Sequence, residues 1–379
     1  MIPTPKGTIR IPGLVDMHVH LREPGFGYKE RIFTGSRAAA AGGFTAVCSM
    51  PNVNPVPDSA AHLQIQNEII ERDSAIDIIP FASITKGRKG DELLDYASLA
   101  PYVAGFSDDG SGVQSDDMMR RAMQAISPTG KILAAHCEVE SLLRGGYVHD
   151  SECLRSQGFK GICSESEWRE IERDIRLAEE TGCRLHICHI STKEGVSLVR
   201  EAKKRGVKVT AETAPHYLAF CDEDVKDLGR FKMNPPLRSR ADLEALREGV
   251  AEGTIDVIAT DHAPHSIEEK SRGLAGSAMG VVGLETAFAA VFTLMVKTGL
   301  MPWERLIDAM ALRPRQILGL PLRDDDYAVV DLDEEWEVRP EDFISMGKAT
   351  PFEGMRLFGK IKETYCKGKR VYPDETGKI

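Results

Sequence analysis

The sequence predicts an α/β protein built as a (β/α)8 TIM-type barrel with a small β-rich appendage. Two observations predict this class: eight short apolar segments alternate with segments of helical periodicity, and polar residues gather where the apolar segments end. Apolar strands between helices are typical of a parallel sheet covered on both faces. Eight of them within about 250 residues favour a closed barrel, and an open sheet is the alternative. Barrel enzymes carry their catalytic groups at the carboxyl ends of the strands, where the polar residues lie.

The predicted strands and helices follow one another along most of the chain. The apolar segments that predict strands are residues 14–20, 44–50, 77–83, 103–107, 132–136, 185–189, 207–212 and 257–260. After the fifth strand, an apolar stripe that ends at Gly182 predicts a helix. Ser191 and Glu194 form a capping-box pattern, which predicts the start of the next helix, and Gly206 predicts its end.

The chain beyond the last predicted strand has a different pattern. Residues 304–318 are predicted to be helical. The segments with β character are residues 8–11, 327–332, 335–338 and 357–372. We therefore expect a barrel over residues 13–320 and an appendage formed by residues 1–12 and 321–379. Residues 137–164, rich in Gly, Ser and charge, form a long connection that is predicted to fold over the site.

Composition excludes several classes of function. A net charge of −10 argues against a nucleic-acid surface, which needs clustered Lys and Arg to displace counterions from phosphate. The first residues resemble no signal peptide and no later segment could span a bilayer, so we expect a cytoplasmic protein. The eight cysteines show no paired spacing, which predicts neither disulfides nor thiolate metal ligands.

Histidines and an aspartate lie at the carboxyl ends of four predicted strands. His18 and His20 alternate on the first strand, so both side chains point the same way and could grip one metal ion. His136, His189 and Asp261 end the fifth, sixth and eighth strands at the same edge. Packing does not explain such a ring, because histidine is a poor default choice for a barrel rim. The sequence therefore predicts a metal site.

The other histidines have different predicted roles. His186 lies three positions before the ligand histidine of its strand, so we expect it to point to the opposite face as a structural residue. His62 and His149 are predicted to lie at the surface. His262 is interpreted as structural, whereas His265 is placed to reach substrate.

Carboxylates complete the predicted chemistry. Two divalent ions held a few ångströms apart need a bridging anion, which neutral imidazoles cannot supply. The fourth strand runs into Asp108 and Asp109 before Gly110, and the residues alone leave open which aspartate enters the ring and which forms a turn. Asp261 is suited to accept a proton from bound water and to pass it to a leaving nitrogen, as amide hydrolysis requires.

Several segments in order resemble one known family. They are GLVDMHVHLREPG (13–25), AAAAGGFTAVCSMPNVNP (38–55), FSDDG (106–110), AHCE (135–138), HICHIS (186–191), NPPLR (234–238), TDHAPH (260–265) and GLETA (283–287). They resemble the motifs of dihydroorotases in the amidohydrolase superfamily and cover almost the whole chain.

The resemblance implies a set of metal ligands. They are His18, His20 and Asp261 for one ion, His136 and His189 for the second, and Asp109 as the bridge. Many relatives bridge their ions with a carboxylated lysine, but this chain has no lysine there. It resembles the bacterial subgroup in which an aspartate substitutes, and the spacing to His136 selects Asp109. The implied cofactor is Zn²⁺, one or two ions per chain.

The resemblance also implies a substrate site. Its residues are His20, Arg22, Asn52, Asn234 and His265, with the backbone of Met279 and Gly280. Arg22 would pair with the substrate carboxylate in the fork geometry that suits a guanidinium. Relatives usually carry Phe where this chain has Met279.

The implied activity is reversible hydrolysis of the cyclic amide of (S)-dihydroorotate to N-carbamoyl-L-aspartate in pyrimidine synthesis, with Asp261 as general base and acid. An allantoinase or hydantoinase is the alternative of the same class, and Arg22 disfavours it because those substrates lack the ring carboxylate. From another class, the chain could be a weakly active or non-catalytic partner of aspartate carbamoyltransferase. Retention of all four histidines and Asp261 favours an enzyme.

Two expectations concern the whole assembly. We expect a homodimer, with aspartate carbamoyltransferase as the candidate partner. The short segment before Gly13 and the tail YAVVDLDEEWEV (327–338) resemble the dihydroorotase domain of the animal multifunctional pyrimidine protein, which implies a reduced β-sandwich.

Overall fold

A computed structural model describes residues 4–374. Its strands are β1 (Thr8–Pro12), β2 (Leu14–Val19), β3 (Phe44–Ser49), β4 (Asp77–Pro80), β5 (Gly105–Phe106), β6 (Ile132–Ala135), β7 (Val148–His149), β8 (Gly161–Ile162), β9 (Arg184–Ile187), β10 (Val209–Thr213), β11 (Val257–Ile258), β12 (Tyr327–Glu337), β13 (Arg356–Cys366) and β14 (Lys369–Tyr372). Each of the eight predicted strands overlaps one of these, namely β2 to β6 and β9 to β11, so their prediction is confirmed.

Helices occupy most of the segments between these strands. They are α1 (Ile32–Ala41), α2 (Ala60–Asp73), α3 (Tyr96–Leu99), α4 (Asp116–Ile126), α5 (Glu152–Ser156), α6 (Glu165–Thr181), α7 (Lys193–Lys204), α8 (Pro215–Ala219), α9 (Arg240–Glu252), α10 (Ile267–Lys270), α11 (Gly273–Gly276), α12 (Ala287–Val291), α13 (Trp303–Ile307) and α14 (Arg313–Leu318). Wider π turns continue α12 and α13. In residues 4–374, every helix is too short or too polar to cross a membrane.

The eight predicted strands pair in parallel. One sheet has the order β2-β3-β4 and another the order β11-β10-β9-β6-β5. Parallel bridges join the two sheets at both seams, Ala82 with Phe106 and Val19 with His262. At the second seam, the His20 N–H donates to the His262 carbonyl at 2.8 Å. The carboxyl ends of all eight strands therefore lie at one edge.

The strands are apolar along their whole length because each of their two faces packs against an apolar layer. Along β6, Ile132 and Ala134 belong to an inner cluster that also contains Met17 and Val257. The alternate β6 residues belong to the larger cluster that packs against the helices. Because side chains alternate along a strand, both faces must be apolar when both are covered.

The start of α7 differs from its prediction. Thr192 is the N-cap, since its hydroxyl accepts the Gly195 N–H, whereas Ser191 lies outside the helix. The Glu167 carboxylate on α6 accepts the backbone N–H and the hydroxyl of both Ser191 and Thr192, but only the Thr192 hydroxyl also accepts an N–H of the helix. The predicted capping role of Ser191 is wrong, because α7 begins at Lys193 and its N-cap is therefore Thr192. The predicted end of α6 at Gly182 is confirmed, with Gly182 in a left-handed conformation.

A four-stranded antiparallel sheet has the order β1-β12-β13-β14. It joins the start of the described chain to its end, as predicted, with Ile11 opposite Ala328. The sheet packs on α1, where the Thr364 hydroxyl donates to the Ala40 carbonyl at 2.6 Å. Of the predicted appendage, residues 1–3 and 375–379 lie outside the described residues, and the domain boundaries stay a prediction.

Two smaller predictions can be compared with the structure. His149 is buried, with Nδ1 3.5 Å from Nη1 of Arg238, so its predicted surface position is wrong; its partner lies 89 residues away along the chain. His62 has a side chain 43% exposed and contacts Asp58, in agreement with its surface prediction. All eight cysteines are free thiols.

Candidate metal centre

Strand ends bring the predicted ligands together at the carboxyl edge. His18 lies on β2, and His20 follows that strand. His136 follows β6 directly, His189 comes two residues after β9, and Asp261 three residues after β11. All five side chains are buried. The parallel arrangement therefore places donors from distant parts of the chain in one cluster.

Asp109 lies at the centre of this cluster. Its Oδ1 is 3.3 Å from His18 Nε2 and 3.4 Å from both His136 Nδ1 and His189 Nε2. Its Oδ2 is 3.4 Å from His20 Nε2. One carboxylate thus faces all four imidazoles, which is the geometry a bridging ligand requires.

Asp261 faces the first pair of histidines. Its Oδ1 is 3.0 Å from His20 Nε2 and 3.5 Å from His18 Nε2. Burial opposes ionisation here, but the hydrogen bond from His20 and the charge of His18 lower the pKa of Asp261 to about 2. The side chain is therefore a carboxylate at neutral pH.

Asp108 lies outside the cluster. Its carboxylate accepts the backbone N–H groups of Ile84 and Thr85 and the Thr85 hydroxyl. One aspartate of the pair thus fixes a loop, whereas the other, Asp109, lies among the four histidines.

The donor atoms fit a divalent metal ion. His18 Nε2 and Asp109 Oδ1 are buried and make no hydrogen bond in residues 4–374, although they lie 3.3 Å apart. Such orphan atoms are costly unless another partner satisfies them. In a tetrahedral zinc site with bonds of about 2.0 to 2.1 Å, neighbouring donors lie about 3.3 Å apart. The distances of 3.0 to 3.5 Å around Asp109 and Asp261 match that spacing.

The donors form two groups that share Asp109. One contains His18, His20 and Asp109, the other Asp109, His136 and His189, each with donor atoms within 4.8 Å of one another. A further group contains His18, Cys188 and Glu212. Burial raises the pKa of Cys188 to about 12, so this thiol stays protonated at neutral pH.

Glu212, at the end of β10, is a site residue that the sequence analysis missed. Its Oε1 is 2.7 Å from His18 Nδ1, and its Oε2 is 3.1 Å from His186 Nε2. A carboxylate on one ring nitrogen fixes the tautomer and leaves the other nitrogen free for a metal ion. His186 is buried and bonded, as its structural prediction required. Its predicted orientation away from the site is wrong, because its Nε2 shares the Glu212 carboxylate with His18.

Glu138 was also missed, although it lies in the AHCE segment. Its Oε2 is 3.6 Å from His136 Nε2, and its Oε1 accepts the Asn234 side-chain amide at 2.8 Å. It thus links a predicted metal-ligand histidine to a predicted substrate residue. On the opposite side, the Asn52 side-chain oxygen lies 2.7 Å from His20 Nδ1.

Three site residues have left-handed backbone conformations. Arg22, His189 and Asp261 have φ of 62°, 32° and 47°. Such conformations are uncommon for residues other than glycine and cluster at functional sites, where the surrounding structure holds them. The backbone at these strand ends is shaped to aim side chains into the site.

Arg22, His265, Met279 and Gly280 lie together beside the metal cluster. The Arg22 guanidinium is buried, donates to the Pro264 carbonyl at 3.1 Å and lies 3.4 Å from His265 Nε2. His265 Nε2 is 2.7 Å from the Met279 carbonyl. Gly280 has φ of 127°, and a Cβ there would lie 2.7 Å from the Ala263 carbonyl oxygen. Asn234 lies on the other flank, with Glu138.

Comparisons with known proteins identify the family of this chain. A family model described as dihydro-orotase-like matches residues 7–195. A curated dihydroorotase of Fusobacterium nucleatum is 49% identical over 370 residues, which cover 96% of this chain and 87% of that protein. One from Bacillus caldolyticus is 48% identical, covering 97% of this chain and 88% of the relative. The chain belongs to the dihydroorotase family. The family and enzyme assignments predicted from the sequence are thereby confirmed.

Solved structures place this dihydroorotase family member among hydrolases with similar folds. The L-hydantoinase (dihydropyrimidinase) from Arthrobacter aurescens matches with a TM-score of 0.86 and 25% identity, over 96% of this chain and 85% of that one. An inactive dihydroorotase-like domain of a multifunctional protein from Chaetomium thermophilum matches with a TM-score of 0.69 and 18% identity, a likeness of fold alone. The hydantoinases are thus more distant relatives than the dihydroorotases.

Proposed function

We propose that this protein is a dihydroorotase that interconverts dihydroorotate and N-carbamoyl-L-aspartate. The observation that carries the choice of substrate is Arg22. Its guanidinium is buried, yet within residues 4–374 it has no carboxylate within ion-pair distance. A buried cation without a counterion is unfavourable. A substrate carboxylate would supply that counterion, and dihydroorotate carries one on its ring.

The metal ligands we propose are His18, His20, Asp109, His136, His189 and Asp261, with one or two Zn²⁺ ions. Asp109 would bridge the two positions, because it faces all four histidines. When bound, such an ion lowers the pKa of a water molecule and polarises a carbonyl oxygen.

The chain's own residues would handle binding and proton transfer. Arg22 would hold the substrate carboxylate in a bidentate pair, with His265 beside it. Burial, together with Arg22 and Lys29, lowers the pKa of His265 to about 3, so its imidazole is neutral and adds no charge. Asn52 and Asn234 would donate or accept hydrogen bonds at the ring from opposite flanks. Met279 and Gly280 would contact the ring through their backbone.

Asp261 would move the proton. As a carboxylate within 3.5 Å of both His18 and His20, it lies beside the proposed metal position. It would accept the proton of the attacking water and then donate it to the ring nitrogen as the amide bond breaks. Ring closure would use the same group in the reverse order.

The proposed fold is a closed (β/α)8 barrel over residues 13–320. Residues 1–12 and 321–379 would form a small β-rich appendage. The parallel bridges at both seams between the two sheets support closure of the barrel.

The proposed homodimer can be tested by gel filtration. The proposed pairing with aspartate carbamoyltransferase can be tested by activity measured with and without that enzyme.

A substrate comparison tests the function. We expect turnover of dihydroorotate and little or none of allantoin or hydantoin. Replacing Arg22 by Met should raise KM for dihydroorotate about 100-fold, because a buried carboxylate would lose its partner, while Arg22→Lys should restore part of the affinity. Turnover of allantoin or hydantoin alone would contradict the proposal.

A further inference from the structure

Lys270 is a buried lysine beside the proposed substrate site. It lies at the end of the short helix α10 and is 8% exposed. Its Nζ donates to three backbone carbonyls, those of Lys232 at 3.0 Å, Ala278 at 2.8 Å and Gly280 at 2.6 Å. Among the described residues no carboxylate comes within ion-pair distance of this ammonium, so its partners are backbone oxygens alone.

These three carbonyls belong to two segments that carry proposed substrate contacts. Ala278 and Gly280 flank Met279, whose own carbonyl is bonded to His265. Lys232 lies two residues before Asn234. The Gly280 N–H donates to the Lys232 carbonyl at 3.0 Å, so the two segments meet beside the ammonium. Lys270 therefore joins the segment of Met279 and Gly280 to the segment of Asn234.

The charges around Lys270 do not neutralise it. Lys232 directs its own Nζ to the Ala275 carbonyl, and Glu269 pairs with Lys29. The cavity of about 210 Å³ beside Lys270 is lined by further charged or titratable groups, namely Arg230, His265, Lys348 and Glu353. Arg230 pairs with Glu353, and Lys348 donates to the Phe343 carbonyl. Burial, reinforced by Lys232 and opposed by Glu269, lowers the pKa of Lys270 to about 7.

We propose that Lys270 is a positioning residue that fixes the segment of Met279 and Gly280 against the segment of Asn234, so that substrate affinity depends on its ammonium group. This inference rests on the proposed function. An ammonium offers three N–H donors to the three carbonyls, whereas the neutral amine offers two. Loss of the proton therefore leaves one buried carbonyl without its donor and loosens the contact between the segments.

Substitution separates this role from catalysis. In Lys270→Met, which keeps most of the side-chain length but removes every donor, we expect KM for dihydroorotate to rise about 10-fold or more, with kcat within about threefold and metal content unchanged. The Gly280 amide should also exchange its hydrogen faster. Lys348→Met is the matched control, since Lys348 lines the same cavity but bonds to a different loop. Its KM should equal that of the unmodified protein.

A pH series tests the same inference without depending on that variant. In the unmodified protein and in Lys348→Met, KM should rise between pH 6 and pH 8.5 as Lys270 loses its proton. Lys270→Arg stays charged throughout this range, so its KM should stay flat.

The outcomes are distinct. A Lys270→Met variant with normal KM, or a KM without pH dependence in the unmodified protein, overturns the role of Lys270. If Lys270→Met does not fold, the pH series decides. An unmodified protein that does not turn over dihydroorotate overturns the proposed function instead.

Discussion

Two buried aspartates lie at opposite ends of β11. Asp256 precedes the strand, and both of its oxygens are bonded: Oδ2 accepts from Lys203 and from the Ala211 N–H, and Oδ1 accepts from Arg313. Asp261 follows the strand at the carboxyl edge, and its Oδ1 faces His18 and His20. Both residues are buried aspartates that flank one strand, yet their surroundings differ.

The difference lies in which polar atoms stay without a partner. At the amino edge the charges are satisfied within the protein, and Arg315 likewise bonds the carbonyls of Gly13 and Ala311. At the carboxyl edge, His18 Nε2, Asp109 Oδ1 and the Asn234 oxygen are buried without hydrogen bonds in the described chain. Burial of charge alone therefore does not mark a functional site. A functional site is marked by buried polar atoms that have no hydrogen-bond partner and lie close to one another.

The largest expected effect comes from Asp261→Asn. The amide keeps the shape but cannot accept and return a proton, so kcat should fall about 1,000-fold or more. Thermal unfolding should show a folded protein. The counterpart Asp256→Asn should keep kcat within about twofold. Equal losses of activity in the two variants would remove the distinction between the strand ends.

A smaller effect, on stability, is expected from Asp256→Ala. This change leaves Lys203 and Arg313 without their shared partner and exposes an unpaired Ala211 N–H to the interior. Because both cations are partly exposed, we expect a loss of about 2 kcal/mol in the free energy of unfolding. Urea unfolding measures it. Asp261→Asn, measured in the same way, should lose less; the opposite order would contradict the comparison.

The smallest effect is expected from Glu212→Gln. This change weakens the hydrogen bond that orients His18, a proposed metal ligand, but leaves His18 in place. Loss of the carboxylate from His18 Nδ1 should reduce metal affinity about 10-fold. Competition with a chelator of known affinity measures this change. His186→Asn should have a weaker effect, because His186 acts only through Glu212. Unchanged affinity in Glu212→Gln would show that the tautomer of His18 is fixed by other means.

The sequence predicted the parts of the site that depend on strand ends. His18, His20, His136, His189 and Asp261 end predicted strands, and parallel strands bring their carboxyl ends to one edge. The choice between Asp108 and Asp109 could not be derived from the residues alone, because it depends on how the loop of Ile84 and Thr85 engages one carboxylate.

Other features could not be predicted, because single polar residues carry no spacing signal. Glu212 is the last but one residue of an apolar strand, and only the three-dimensional structure pairs it with His18, 194 residues away. His149 is buried by a similar long-range contact with Arg238. Ser191 and Thr192 are both good helix caps, and the backbone, which enters the helix at Lys193, makes Thr192 the N-cap.

Anomalous diffraction at the zinc absorption edge, recorded from crystals of the purified active protein, tests the metal centre most directly. We expect a peak within about 2.3 Å of a donor atom of His18, His20, Asp109 or Asp261, with a second peak near His136 and His189 if two ions bind. Fully active protein with no metal ion among these side chains would contradict the proposal.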